Sequence, residues 1–312
     1  MLRTPQDVGP SRLHIHLAPA PTPPGRTFPL VLLRACRPRQ WSKNLLVLAA
    51  PAAAGVLGRP LVAAQVAGTF VVLCLISSAT YLINDVRDRE QDRMHPTKRL
   101  RPIAAGELAS STAVRIAVLL AVLGVAGAVA IRPTLGLVAV GYLLLTGSYS
   151  MWLRRVFVLD ILVIAAGFVL RALAGGVATD IYLSRWFVLV TASCAVFLVA
   201  AKRFAELREQ GSRGTGRPSL RRYSVAGLHL MMLASASAAS AAYVGWAFTR
   251  PAHHVWYGLS IVPLLAWLLR YSVLIGSGAG QAPEELILRD RTLLLLSVAW
   301  GVLFLGGVYV GR

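Results

Sequence analysis

Apolar residues along this chain occur in long uninterrupted stretches, and most charged residues fall in the segments between them. A helix that crosses a bilayer needs about 20 mainly apolar residues. A lone segment in lipid must also satisfy its own backbone hydrogen bonds, which a helix does. The pattern therefore predicts an all-α integral membrane protein with nine transmembrane helices. The nine stretches are 42–58, 61–83, 112–131, 134–152, 157–178, 186–205, 224–248, 255–275 and 292–310.

Composition supports this prediction. Of the 312 residues, 56% are hydrophobic and only 14% are charged, whereas about a quarter of a soluble domain is charged. The first 27 residues contain six prolines and no apolar stretch, which is typical of a disordered segment. We expect a disordered cytoplasmic tail over 1–30 and one membrane domain over 31–312.

The net charge of +19 comes from cations that gather on one side of the predicted membrane. Of the 32 Lys and Arg residues, 24 lie in or beside the N-terminal segment and the loops after runs two, four, six and eight. Cytoplasmic loops are enriched in Lys and Arg. The distribution therefore predicts a plasma-membrane protein with a cytoplasmic N-terminus, and it disfavours nucleic acid as a partner.

An acidic segment follows the second apolar run. Asn84, Asp85, Asp88 and Asp92 fall within an arc of about 100° on a helix that continues through them. Oxygen ligands of this kind suit Mg²⁺, which is usually bound through few carboxylates plus substrate phosphates. The alternative is a solvated helix end whose acids pair with neighbouring arginines.

The loop after the acids is basic and is bounded by helix-breaking prolines at 96 and 102. It carries His95, Lys98, Arg99 and Arg101, and we expect it to fold back beside the acids. The positive-inside rule explains the cations but not the acids. Acids that hold a metal beside cations that grip phosphate oxygens predict a diphosphate site at the cytoplasmic face.

Other polar residues lie in or beside the predicted spans. Lys43 lies at the start of the first run, where it either snorkels or contacts a phosphate. Tyr149 and Arg154 lie at the end of run four and are candidates to bind substrate. Asp160, near the start of run five, is costly in lipid unless it is paired or functional, and we favour a functional role.

Lys202 and Arg203 lie at the cytoplasmic end of run six. One reading is snorkelling together with an i,i+3 pair between Arg203 and Glu206. The other reading is a second phosphate clamp. The sequence leaves both open.

Arg171 shares a helix face with Asp160 but lies about 16 Å farther along the axis. A tie to backbone carbonyls and a ligand contact are equally compatible with this position. Gly175 and Gly176 next to it favour close helix packing.

These motifs resemble a known family. The acidic motif at the end of the second predicted helix resembles the first aspartate motif of the UbiA-type prenyltransferase superfamily. Within it, the chain is similar to the branch in actinobacteria that attaches phosphoribose to polyprenyl phosphate. The resemblance covers about residues 34–310 and is carried by segments 37–41, 43–44, 83–88, 95–99, 101–106, 171–172, 174–179, 202–203, 206–207, 283–284 and 288–291.

The resemblance implies nine helices around a central cavity open to the cytoplasmic side and the lipid. It implies Mg²⁺ as cofactor, held by Asn84, Asp85, Asp88 and Asp92, with the three aspartates as catalytic residues. The donor would be phosphoribosyl diphosphate (PRPP) and the acceptor a polyprenyl phosphate, expected to be decaprenyl phosphate. Transfer would release diphosphate and supply a precursor of cell-wall arabinan. The expected substrate-binding residues are Lys43, Asn84, His95, Lys98, Arg99, Arg101, Tyr149, Arg154, Asp160, Lys202 and Arg203.

The chain departs from the superfamily at the second aspartate motif, Asp-x-x-x-Asp. Asp160 stands alone in that region, which weakens the alternative of a prenyltransferase that joins a prenyl diphosphate to an aromatic or other acceptor. A transporter would carry polar residues on both sides of the midplane and an inverted repeat, whereas here the acids cluster on one side and no repeat is found. The oligomeric state stays open, with a homo-oligomer among the alternatives.

Overall fold

The computed structural model describes residues 27–210, 220, 222–249, 254–278 and 283–310. Every regular element within those residues is a helix, so the all-α prediction is confirmed. Residues 1–26 of the predicted tail lie outside the described residues. Helix α1 (Phe28–Cys36) starts within the last residues of the predicted tail.

Eight helices in the described residues are long and apolar enough to cross a membrane. They coincide with predicted runs two to nine to within a few residues, and two of them extend beyond their runs at the C-terminal end. They are α3 (Pro60–Arg87), α5 (Ser110–Ile131), α6 (Pro133–Met151), α7 (Leu159–Ala178), α8 (Arg185–Gln210), α9 (Val225–Phe248), α10 (His254–Gly276) and α12 (Arg291–Tyr309). Three short helices, α2 (Ala49–Ala53), α4 (Arg89–Arg93) and α11 (Pro283–Arg289), complete the set with α1.

The first predicted run does not form a long α-helix. It lies in a 3₁₀ helix, Pro38–Leu48, which continues into α2, so nine long α-helices are not confirmed in the part of the chain that the structure describes. A 3₁₀ helix has three residues per turn, and the two buried residues of Pro38–Leu48, Asn44 and Val47, lie three positions apart. Pro51 adds to the irregularity, because it has no N–H to donate to the carbonyl of Val47.

Close packing holds this irregular segment against α7. A methyl group added at Gly175 would collide with the carbonyl of Val47, and one added at Gly176 would collide with Leu183. Both glycines therefore permit close approach, as the sequence predicted. The absence of a side chain at Gly175 lets the first segment lie directly on the backbone of α7.

Successive long helices pack as neighbours, chiefly α3 with α5, α8 with α9, and α10 with α12, while α7 contacts both α6 and α8. The ends of α3, α6, α8 and α10 meet at one end of the bundle. There, Arg87 donates to the carbonyl of Ser150, and Arg208 donates to the carbonyl of Gly276. We call this the site end. It holds the loops that the charge distribution assigns to the cytoplasm.

Candidate active site

The predicted acids lie where α3 ends and α4 begins. The helix breaks at Asp88, yet the Asp88 amide donates to the Asn84 carbonyl (2.9 Å) and the Asp92 amide to the Asp88 carbonyl (2.8 Å). These i to i+4 bonds carry the helical register through the break. Asp85 and Asp92 are buried, Asp88 is partly exposed, and Asn84 is half-buried.

Arg101 joins two of the acids. Its Nη1 atom lies 2.6 Å from Asp92 Oδ2 and 3.2 Å from Asp85 Oδ1, so the two carboxylates face each other across one guanidinium. The loop that carries Arg101 folds back beside the acids as predicted, and Ile103 and Leu108 anchor it in the apolar interior.

Arg37 is a second partner of Asp85, and the sequence analysis did not assign it to the site. Its guanidinium donates to the carboxylate and stacks over the ring of Tyr81, with 5.1 Å to the centroid. Arg37 has a left-handed backbone (φ 55°) at the end of α1, which turns the chain and directs it into the 3₁₀ helix. The signal available in the sequence was its place in the basic stretch before the first run.

Arg154 binds the third acid in a two-pronged arrangement. Its Nη1 and Nη2 atoms lie 2.9 Å and 3.0 Å from the two carboxylate oxygens of Asp88. The hydrogen bonds to Asp88 raise the pKa of Arg154. About a quarter of each side chain is exposed, so water and a soluble ligand can reach this pair. Such a fork also matches the geometry of phosphate.

The acids fit Mg²⁺ by their chemistry, although they are not gathered around one point. Among the described residues, no three His, Cys, Asp or Glu side chains form a group that could hold a metal. Mg²⁺ is usually bound by only one or two carboxylates, with waters and substrate phosphates supplying the rest. Asp85 and Asp92, which face each other across Arg101, supply the two carboxylates that such a site needs.

Two other predicted phosphate ligands, His95 and Lys43, bond to residues of their own segments. His95 Nδ1 accepts from the amides of Thr97 and Lys98, both at 3.3 Å, and so shapes its own loop. Lys43 donates to Gln40 at 2.6 Å. Arg99 is exposed, and Lys98 and Lys202 are half-buried.

Asp160 and Arg203, both predicted to bind substrate, form an internal ion pair. Asp160 is 0% exposed and Arg203 is 1% exposed, and 3.1 Å separates Asp160 Oδ2 from Arg203 Nε. Arg203 also donates to Glu206 at 2.6 Å and to the Tyr149 hydroxyl at 3.3 Å. The i,i+3 pair between Arg203 and Glu206 that was considered from the sequence is therefore confirmed.

Tyr223 completes this network and was missed by the sequence analysis. Its hydroxyl donates to Asp160 Oδ1 (2.5 Å) and accepts from the Val158 amide (2.9 Å). Burial and the bond to Asp160 raise the pKa of the Tyr223 hydroxyl, so it stays protonated near neutral pH. Tyr223 follows a short polar segment between two runs, and nothing in that pattern marks it.

Arg171 lies deeper in the bundle, away from the acids. It donates to Asn44 Oδ1 and to the Gly167 carbonyl, each at 3.0 Å, and to the Tyr142 hydroxyl. Its guanidinium also stacks over Phe168, 5.5 Å from the ring centroid. The tie to a backbone carbonyl considered from the sequence is therefore confirmed.

The fold and the site together define a multi-pass membrane protein with paired acids and arginines at one end of its helical bundle. The sequence matches the UbiA prenyltransferase family over residues 45–288, and the chain belongs to that family.

Two relatives are similar to this chain in sequence, and one solved structure is similar to it in fold. The chain is 44% identical to decaprenyl-phosphate phosphoribosyltransferase of Mycobacterium tuberculosis over 277 residues, covering 86% of this chain and 91% of the relative. It is 40% identical to the protein of that name from Corynebacterium glutamicum over 292 residues, covering 89% and 87%. A UbiA homolog from Archaeoglobus fulgidus bound to DMAPP and Mg²⁺ shares the fold, with a TM-score of 0.68, 17% identity and coverage of 90% and 98%.

Proposed function

We propose that this protein transfers 5-phosphoribose from PRPP to a polyprenyl phosphate, with decaprenyl phosphate as the expected acceptor. The bond between the sugar C1 and the diphosphate breaks, a bond from C1 to the acceptor phosphate oxygen forms, and diphosphate leaves. The product would be a precursor of cell-wall arabinan. Relatives that carry this name over most of both chains support the proposal.

One observation carries the proposal at the level of the site. Each of the three aspartates is held by an arginine from another segment: Asp85 and Asp92 by Arg101, and Asp88 by Arg154. An arginine fork binds phosphate as readily as carboxylate. When PRPP binds, these arginines exchange carboxylate oxygens for phosphate oxygens and leave the acids free.

Mg²⁺ is the proposed cofactor. Asp85 and Asp92 would hold it, with Asp88 and Asn84 beside them, and it would offset negative charge on the leaving diphosphate. The released Arg101 and Arg154 stabilise that same charge from the protein side. The acceptor phosphate is already ionised at neutral pH, so attack on C1 needs no general base.

The amphipathic acceptor and the soluble donor would reach the site from different directions. PRPP is polar, so we place the site end toward the cytoplasm, with the N-terminus on that side of the plasma membrane. The polyprenyl chain stays in lipid while its phosphate enters between the helices at the site end.

A donor test with the purified protein in detergent checks the proposal. PRPP, decaprenyl phosphate and Mg²⁺ should give a labelled lipid product together with diphosphate, and a chelator should stop the reaction. A prenyl diphosphate offered with an aromatic acceptor serves as the second arm. Diphosphate release in that arm alone would favour the prenyltransferase alternative and reject ours.

A further inference from the structure

The loop that carries Arg154 is tied at both of its ends to one buried ion pair. This loop, residues 152–158, joins α6 to α7. Just before it, the Tyr149 hydroxyl accepts from Arg203 Nη2. At its last residue, the Val158 amide donates to Tyr223, whose hydroxyl donates to Asp160.

The loop ends in a backbone conformation that its own residue disfavours. Val158 has φ 67° and ψ −43°, and a β-branched side chain at positive φ is an outlier. Such a conformation persists only where the surroundings hold it. The hydrogen bond from the Val158 amide to Tyr223 is a contact placed to do so.

The middle of the loop faces the acids. Leu153–Arg155 forms a single 3₁₀ turn, and from it Arg154 reaches both carboxylate oxygens of Asp88. Only three residues separate Arg154 from Val158. A change in φ at Val158 therefore rotates the chain that carries the Arg154 guanidinium.

We propose that Tyr223 is a positioning residue for the transfer reaction, one that holds Val158 at positive φ and so keeps Arg154 aligned with Asp88 and the incoming diphosphate. The buried Asp160–Arg203 pair is the anchor for this arrangement. Asp160 accepts a hydrogen bond from the Tyr223 hydroxyl on one side, and Arg203 donates one to the Tyr149 hydroxyl on the other. The proposal rests on the proposed function, because it assigns Arg154 to the donor.

Two substitutions separate positioning from packing. Tyr223→Phe removes both hydrogen bonds but keeps the ring that packs 4.7 Å from Phe157. Val158→Gly removes the side chain whose steric clash disfavours positive φ. If Tyr223 acts by holding Val158, the Y223F defect should shrink when residue 158 is glycine, because glycine adopts the required φ unaided.

The readouts are steady-state kinetics and amide hydrogen exchange. In Y223F we expect the KM for PRPP to rise about threefold to tenfold, because misplacing Arg154 should cost no more than losing its guanidinium, which is worth about tenfold, and kcat to change less. The Val158 amide should lose protection from exchange. In the double variant Y223F/V158G, the KM for PRPP should return most of the way to the wild-type value. Tyr182→Phe, an exposed tyrosine (90%) outside the network, is the control and should match the wild type.

An unchanged KM in Y223F, or a raised KM that V158G does not restore, would overturn the positioning role. A wild-type protein that fails to use PRPP would instead reject the proposed function. In that case, exchange at the Val158 amide still decides whether Tyr223 holds the loop.

Discussion

Arg101 at the site end and Arg171 inside the bundle are both arginines in a membrane protein, but their partners differ in charge. Arg101 lies between two carboxylates and is 29% exposed at its side chain. Arg171 is 7% exposed, and its hydrogen-bond partners in the described part of the chain are an amide, a hydroxyl and a backbone carbonyl.

The difference separates an exchangeable site from a fixed one. A phosphate can replace a carboxylate as the partner of Arg101, because both are anions and the guanidinium itself is partly exposed to water. The neutral partners of Arg171 belong to three separate segments, so their exchange would loosen the bundle. We infer that Arg101 serves binding and Arg171 serves architecture, and the following substitutions test that division.

The largest effect is expected at the acids. Asp85→Asn or Asp92→Asn keeps the shape of the side chain and removes the charge that would hold the metal. We expect kcat to fall about a hundredfold or more while the protein still elutes as a folded species. Glu90→Gln is the matched control, because Glu90 is 74% exposed at its side chain and pairs with Arg93 at the surface. Near-normal turnover in D85N would mean that the acids are only a solvated helix end.

The next effect is on stability, at the contact between the first segment and α7. Gly175→Ala places a methyl group against the carbonyl of Val47, and overpacking of this kind costs about 1–3 kcal/mol. Thermal unfolding in detergent measures it. Gly141→Ala in α6 meets no atom within 4 Å and should not lower the melting temperature. Equal melting temperatures for both variants would contradict the close approach.

Arg171→Met tests the architectural arginine directly. It removes three hydrogen bonds, and bonds of this kind inside membrane proteins average about 0.6 kcal/mol, so we expect a loss of about 2 kcal/mol. The KM for PRPP should stay within twofold, roughly the scatter expected for a site left intact. A large rise in KM with unchanged stability would place Arg171 in the binding site and break the division.

The smallest expected effect is at Arg154. Arg154→Gln removes the charged fork and should raise the KM for PRPP about tenfold, which corresponds to about 1.4 kcal/mol. Arg154→Lys keeps the charge without the fork, so its KM for PRPP should lie between those of the wild type and of R154Q. If the lysine variant were no better than glutamine, geometry rather than charge would set the affinity at this position.

Local spacing explains what the sequence could predict. Asn84 to Asp92 lie within two helical turns, and the basic loop follows at once, so their proximity needs no knowledge of the fold. Long apolar runs likewise fix eight spans, because the bilayer demands length and apolarity. Both inferences use only neighbours along the chain.

Contacts between distant segments explain what the sequence could not predict. Arg37 is 48 residues from Asp85, and Tyr223 is 63 residues from Asp160. Asp160 and Arg203 resembled substrate ligands because each is a polar residue near the end of an apolar run. Only the packing of α7 against α8 shows that they neutralise each other.

The tight winding of the first segment also changes how far it reaches. A 3₁₀ helix rises about 2.0 Å per residue and an α-helix about 1.5 Å. The eleven residues of the 3₁₀ helix and the five of α2 therefore extend about 30 Å, close to the hydrocarbon thickness of a bilayer. Rewinding the 3₁₀ part as α-helix would shorten it by about 5 Å. This would either draw Lys43 toward the hydrocarbon core of the bilayer or pull Val47 out of contact with Gly175.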